Sequence, residues 1–227
     1  MRSAGCIVND LADQKYDGQV ARTRNRPLVT GAVSRQEALV LLGILLLGAL
    51  AVALKLNTLT LYWAIPAALI AATYPLMKRF FAFPQAYLGI AFGFGIPMAY
   101  AATLEQTPAV AWCLLLSNLF WTLAYDTIYA LVDKPDDLKI GIKTAAISFG
   151  RYVVPAIMVC CAVFLLGLCA ISKEKKCGLF YFVGILLAAL LAAMQYPLIK
   201  QQDPARCFRA FLDSQWMGAV ILLGIAL

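Results

Sequence analysis

The sequence predicts an all-α membrane protein, a polytopic transmembrane bundle of seven long apolar helices with the end of an eighth before them. Three observations predict it. Of 227 residues, 63% are hydrophobic and only 14% are charged; the mean hydropathy is +0.80; and uncharged stretches recur along the whole chain, a combination foreign to soluble domains. Those stretches cover residues 38–54, 56–77, 80–104, 106–125, 152–172, 177–199 and 214–227. Most reach the roughly 20 residues that a helix needs to cross the hydrocarbon core. The first is slightly short, and Glu37 and Lys55 can snorkel at its ends. The stretches are continuous and do not alternate with period two, which favours helices over a barrel.

Charge then orients the bundle. If each stretch crosses once, fifteen Lys and Arg residues gather on one side, and only Lys55, Lys173, Lys175 and Lys176 fall on the other. By the positive-inside rule the first side is cytoplasmic. The net charge of +7 therefore needs no nucleic acid to explain it. Seven cysteines show no paired metal-type spacing and read as small hydrophobes kept reduced. The absence of histidine argues against a zinc site or a Ser-His-Asp mechanism.

Seven of the twelve acidic residues fall in two short segments. The first reads N-D-L-A-D-Q-K-Y-D from Asn9 to Asp17 and contains Asp10 and Asp13. If a helix entering near residue 4 runs through it, Asn9, Asp13 and Asp17 lie one turn apart on one face. Like charges at that spacing repel, so a helix gains nothing from them unless a cation sits between. The second segment follows the 106–125 stretch and holds Asp126, Asp133, Asp136 and Asp137. Asp126 and Asp133 are two turns apart, Pro135 is expected to end or bend the helix, and Gly141 suits a turn.

The topology puts both segments on the basic side. Facing acidic groups with Arg and Lys nearby would bind divalent cations that in turn hold a polyphosphate, and magnesium suits such oxygen donors. Arg22 and Arg26, or Lys139 and Lys143, could reach the same anion. Each of these residues also has a plainer reading as a solvated helix end or an ordinary positive-inside charge.

The residues carry a resemblance as well. N-D-x-x-D-x-x-x-D at Asn9–Asp17, followed by R-T-x-x-R-P at Arg22–Pro27, resembles the first signature of the UbiA superfamily of intramembrane prenyltransferases. Asp133–Asp137 is similar to its second signature, D-x-x-x-D, with G-I-K-T following at Gly141–Thr144. Y-D-T-x-Y-A-x-x-D from Tyr125, and Y-P-x-M-K-R at Tyr74–Arg79, are most similar to the 4-hydroxybenzoate polyprenyltransferase branch. The likeness runs through essentially the whole chain.

The resemblance implies an inner-membrane enzyme of ubiquinone biosynthesis, with its active-site loops facing the cytoplasm. Its substrates would be polyprenyl diphosphate and 4-hydroxybenzoate, and Mg2+ its cofactor. Asn9, Asp10, Asp13 and Asp17 carry over as one metal cluster and Asp133, Asp136 and Asp137 as the other, with Asp10 and Asp136 inside the motifs. Arg22, Arg26, Lys78, Lys139 and Lys143 are implied substrate contacts. Tyr125 and Tyr129 are placed to flank the acceptor ring, and Asp126 to orient the phenol hydroxyl or take its proton. Asp13, Asp126, Asp133 and Asp137 are thus the expected catalytic set.

The family has nine helices, with one complete helix and most of a second ahead of the first signature. Residues 1–8 form only about 12 Å of helix, against a core of roughly 30 Å. The 227 residues are accordingly expected to be a single domain lacking those parts. Two other classes stay open. A transporter could use intramembrane carboxylates, although these lie at helix ends and no inverted repeat shows; a purely structural protein leaves the clustered aspartates without a role. Within the enzyme class, another aromatic acceptor is the alternative. Gly89 and Gly93 are spaced for close helix packing, with the monomer's own interior the expected use.

Overall fold

The protein is described here by a computed structural model covering residues 2–175 and 177–227. Lys176, one of the lysines assigned to the sparsely charged side, lies outside the described residues. Among these there is no β-strand, and seven helical spans are long and apolar enough to cross a membrane. A first helix, α1 (Arg2–Asp17), leads through a loop and a single turn, α2 (Pro27–Thr30), to α3 (Arg35–Ala53). Ser34 caps α3 by accepting from the Glu37 N–H at 3.2 Å while Glu37 accepts from the Ser34 N–H at 2.8 Å, so two orphan donors are satisfied at once.

Next come α4 (Thr58–Met77), α5 (Pro84–Gly93), α6 (Gly95–Leu104) and α7 (Ala109–Ile140). The stretch at 80–104 is one span, Pro84–Leu104, interrupted at Phe94 because Pro97 has no N–H for the carbonyl one turn back. A single turn, α8 (Ala145–Ser148), then precedes α9 (Val153–Lys175), α10 (Leu179–Ile199), α11 (Pro204–Asp213) and α12 (Gln215–Ala226). The last span starts at Pro204 and not at residue 214. It can do so because Cys207 and Ala210 face the core while Arg206 and Arg209 stay exposed.

The central element is α7, which packs against α5, α6, α9 and α11. Its 32 residues make about 48 Å of helix at 1.5 Å per residue, well beyond the hydrocarbon thickness. The excess carries the second acidic segment. Of the two expectations for Pro135, an end or a bend, the end is excluded: Pro135 sits inside α7, which runs on to Ile140. Gly141 stops it instead, with φ at +72°, and donates its N–H to the Asp137 carbonyl.

Small residues set how closely the helices approach. A methyl group at Gly89 would stand 3.0 Å from Leu119 Cα, and one at Gly93 would stand 2.8 Å from Leu115 Cγ. Both glycines therefore seat α5 on α7 inside the monomer, as their spacing predicts. We expect Gly89→Ala to lower the thermal midpoint of the detergent-solubilised protein, at a cost of about 1–3 kcal/mol for the forced shift. Gly48→Ala on α3, where nothing lies within 4 Å, serves as the control and should not lower it. Equal midpoints for the two variants would contradict the close approach of α5 and α7.

Candidate functional site

On α1 the four-residue spacing does what the sequence predicts. Asn9 and Asp13 face one cation, Lys78 just past the end of α4, whose Nζ donates to Asn9 Oδ1 at 3.0 Å and to Asp13 Oδ2 at 2.7 Å. Asp17, one turn on, accepts from Arg26 Nη1 at 2.8 Å, and the same nitrogen reaches Asp10 Oδ1 at 2.7 Å. Asp13 and Asp17 are buried. Burial pushes the Asp17 carboxyl above its ordinary range, against the pull of Arg26 and Thr23.

The loop between α1 and α2 crosses to α7. Arg22 grips the Asp133 carboxylate through both Nε and Nη2, the two-pronged geometry that a guanidinium offers and an ammonium does not. Its Cζ lies over the Tyr129 ring, 4.6 Å from the centroid. One residue earlier, the Ala21 N–H donates to Asp136 Oδ2 at 3.1 Å. Residues 18–26 thus form a strap that fastens the first acidic segment to the second, although more than a hundred residues separate them.

Between them lies a cavity of about 170 Å³ whose wall includes Asn9, Asp13, Asp17, Asp126, Asp133 and Asp137 together with Arg22, Arg26, Lys78 and Tyr129. The structure therefore brings both clusters to one chamber. Asp10 and Asp136 are not in that wall; Asp10 is held by Arg26, and Asp136 by the strap and by Lys139 at 3.0 Å. Lys139 serves Asp136, and Lys143 donates to the Phe80 carbonyl at 3.0 Å, so neither lines the chamber. Tyr125 also stands outside it, packed on Trp121 and Phe211.

Asp126 and Asp137 differ from the other acids in the wall. Neither carboxylate has a hydrogen-bond or ion-pair partner among the described residues, whereas Asp13, Asp17 and Asp133 each hold a cation. Sequence reasoning missed five polar wall residues: Tyr16, Thr23, Tyr74, Gln85 and Thr144. Tyr74 sits in a quoted motif, but Gln85 lies alone in an apolar stretch, where nothing marks it.

The donor chemistry fits a hard divalent cation, since carboxylates and the Asn9 amide carbonyl are all oxygen donors facing one space. Among the described residues, no three acidic side chains are gathered closely enough to enclose such an ion. Basic side chains take that place, and Lys78, Arg22 and Arg26 neutralise the acids pairwise. The chamber is thus lined by anionic oxygens with cations between them, an arrangement that can bind a polyanion and its counter-cations together.

Comparison with known proteins gives a consistent picture. The pattern of the UbiA prenyltransferase family matches residues 1–220. The whole chain is 54% identical to a 4-hydroxybenzoate octaprenyltransferase of Aromatoleum aromaticum, covering 77% of that protein. It is 53% identical to the protein of the same name from an Azoarcus species, covering 79%. A solved UbiA homologue from Aeropyrum pernix superposes with a TM-score of 0.84 at 27% identity, covering 98% of this chain and 84% of that one. A digeranylgeranylglyceryl phosphate synthase structure, at 19% identity and a TM-score of 0.70, shares the fold over 98% of this chain and 79% of its own.

The strap makes its own prediction. Arg24 is exposed in the loop that Arg22 anchors, so Arg22→Gln should let trypsin cut after Arg24 several-fold faster in detergent micelles. A cleavage rate equal to that of the unaltered protein would show that Asp133 does not hold the loop.

Proposed function

The chain belongs to the UbiA prenyltransferase family, and on that premise we propose that it joins a polyprenyl chain to 4-hydroxybenzoate at the ring carbon ortho to the hydroxyl. Polyprenyl diphosphate is the donor, diphosphate is released, and the step belongs to ubiquinone biosynthesis. The enzyme works at the cytoplasmic face of the inner membrane, where the positive charge gathers. One observation carries the reading: two carboxylate clusters and three cations share one chamber at the end of an apolar bundle.

Asn9, Asp13 and Asp17 on α1 and Asp133 and Asp137 on α7 are the residues that would hold magnesium, whose charge, when bound, neutralises the leaving diphosphate. Arg22, Arg26 and Lys78 are positioned to exchange their carboxylate partners for diphosphate oxygens. As the C–O bond to diphosphate breaks, its electron pair stays with diphosphate and the ring carbon bonds to the allylic carbon; the proton on that ring carbon then passes to the released diphosphate, aromaticity returns, and the phenol proton held meanwhile by Asp126 goes back to the phenolate oxygen. Asp126, in the chamber wall and without a partner among the described residues, is placed to take the phenol proton. Tyr129, also in the wall, lies beneath Arg22 and can turn that ring face to the developing allylic charge once Arg22 engages the diphosphate. The apolar bundle keeps water from that charge and accepts the lipid tail.

The direct test incubates membranes containing the protein with labelled polyprenyl diphosphate, magnesium and a panel of aromatic acceptors. Prenylated 4-hydroxybenzoate is the expected product, and labelling of a different acceptor with 4-hydroxybenzoate inert would overturn the reading.

Mutations divide the roles. Asp13→Ala and Asp133→Ala should each lower turnover by about 10²–10³-fold or more, as expected for lost stabilisation of transition-state charge, with membrane insertion retained. Asp136→Ala should be milder, because its carboxylate is committed to the strap and Lys139. Asp126→Asn should slow prenylation yet leave metal-dependent binding of the prenyl diphosphate intact. Near-normal turnover by Asp13→Ala or Asp133→Ala would remove the two-cluster mechanism, and parallel loss of rate and binding in Asp126→Asn would place that residue with the metal ligands.

A further inference from the structure

Gln85 opens α5 and is only 4% exposed, yet it forms part of the chamber wall. Its Oε1 accepts from the Ala145 N–H at 2.8 Å. A backbone N–H can only donate, so this bond fixes which end of the amide is oxygen. The Nε2 end is left with two N–H donors and no partner among the described residues. The oxygen holds the side chain in place in the chamber wall, so an acceptor on a bound ligand can replace the water these donors would otherwise meet. Thr144, the residue before Ala145, is 5% exposed and lines the same chamber. Its Oγ1 accepts from the Ile147 N–H at 3.3 Å, which leaves the hydroxyl proton to give.

We propose that the Gln85 amide, with the Thr144 hydroxyl, recognises the carboxylate of the aromatic acceptor. The assignment rests on the function proposed above and adds the residue that selects its substrate. Two kinds of donor meet in the chamber. Arg22, Arg26 and Lys78 are charged and tied to acids, which suits a multiply charged diphosphate. Gln85 and Thr144 are neutral, which suits a singly charged carboxylate whose binding must not draw the diphosphate to the wrong place. A carboxylate held there leaves the para hydroxyl of the same ring free to turn to Asp126, in the same wall.

A purely structural role for Gln85 is separable from this one. The bond to Ala145 helps clamp the α7–α8 loop to the segment after α4. That clamp also has the Lys143 N–H on the Lys78 carbonyl at 2.9 Å and the Ser148 hydroxyl on the Ala82 carbonyl at 2.6 Å. Gln85→Glu keeps an oxygen for Ala145 and replaces only the free donors with a repelling oxygen.

The experiment measures kcat/KM for 4-hydroxybenzoate and for 4-hydroxybenzamide in the unaltered protein and in Gln85→Glu. The ratio of acid to amide should fall by roughly 10- to 100-fold, the scale expected for a lost hydrogen bond to a charged group. Most of the change should come from KM for 4-hydroxybenzoate, with KM for the prenyl diphosphate unmoved. Equal losses with both acceptors would reduce Gln85 to a strut, and a raised KM for the prenyl diphosphate alone would assign it to the donor; either overturns the proposal. If Gln85→Glu does not accumulate, Gln85→Met answers the same question: it should lose the preference for the acid, and keeping that preference overturns the assignment. Turnover of 4-hydroxybenzoate by the unaltered protein tests the function itself, so the two can fail separately.

Discussion

A carboxylate at the edge of a hydrocarbon slab must find a cation, and in this bundle two of the three cations reach their carboxylates from far away in sequence. Lys78 reaches Asn9 and Asp13 from the end of α4, Arg22 reaches Asp133 from the strap, and Arg26 closes onto Asp10 and Asp17. Each pair is worth little when solvated, but here several are partly buried, and removing one partner would strand the other. These pairings place two acidic segments from opposite halves of the chain around one space. The same electrostatics limits where the site can be: α7 has to outrun the membrane before it can carry Asp133, Asp136 and Asp137.

The contacts that hold the chamber are also those that make it usable. A guanidinium paired with a carboxylate is already desolvated and oriented, so handing it to a phosphate costs less than recruiting it from water. The chamber's remaining acids, Asp126 and Asp137, have no such cation among the described residues and stay available for a proton or a metal. Below them the interior turns apolar, with Trp121 stacked on Phe164 at 5.3 Å between ring centroids. Charge at the mouth and hydrocarbon beneath it match a substrate with a diphosphate head and a polyprenyl tail.

Much of this was legible in the sequence because it follows from spacing. The four-residue steps of Asn9, Asp13 and Asp17 put them on one side of α1, and the spacing of Gly89 and Gly93 marked a close helix contact, whose partner the fold shows to be α7. What escaped was set by tertiary contacts. Pro135 reads as an end or a bend, and of these the end does not occur, since α7 continues through it to Ile140. Asp10 and Asp136 belong to the motifs but lie beside the stripe of four-residue steps, and they fasten the strap and do not line the chamber. Lys139 and Lys143 look the same as Lys78 in sequence; only the fold shows that they serve Asp136 and a backbone carbonyl. Gln85 carried no signal at all, since a lone amide in an apolar stretch gains meaning only when its oxygen is seen on Ala145.

The central claim is that the basic residues hold the two clusters together and then exchange carboxylate for phosphate. A structure determined with magnesium, a non-ionising prenyl thiolodiphosphate and 4-hydroxybenzoate tests it most directly. The account predicts diphosphate density between α1 and α7, with Arg22, Arg26 and Lys78 turned from their aspartates onto its oxygens. Diphosphate bound elsewhere, with the Arg22–Asp133 and Lys78–Asp13 pairs intact, would contradict it.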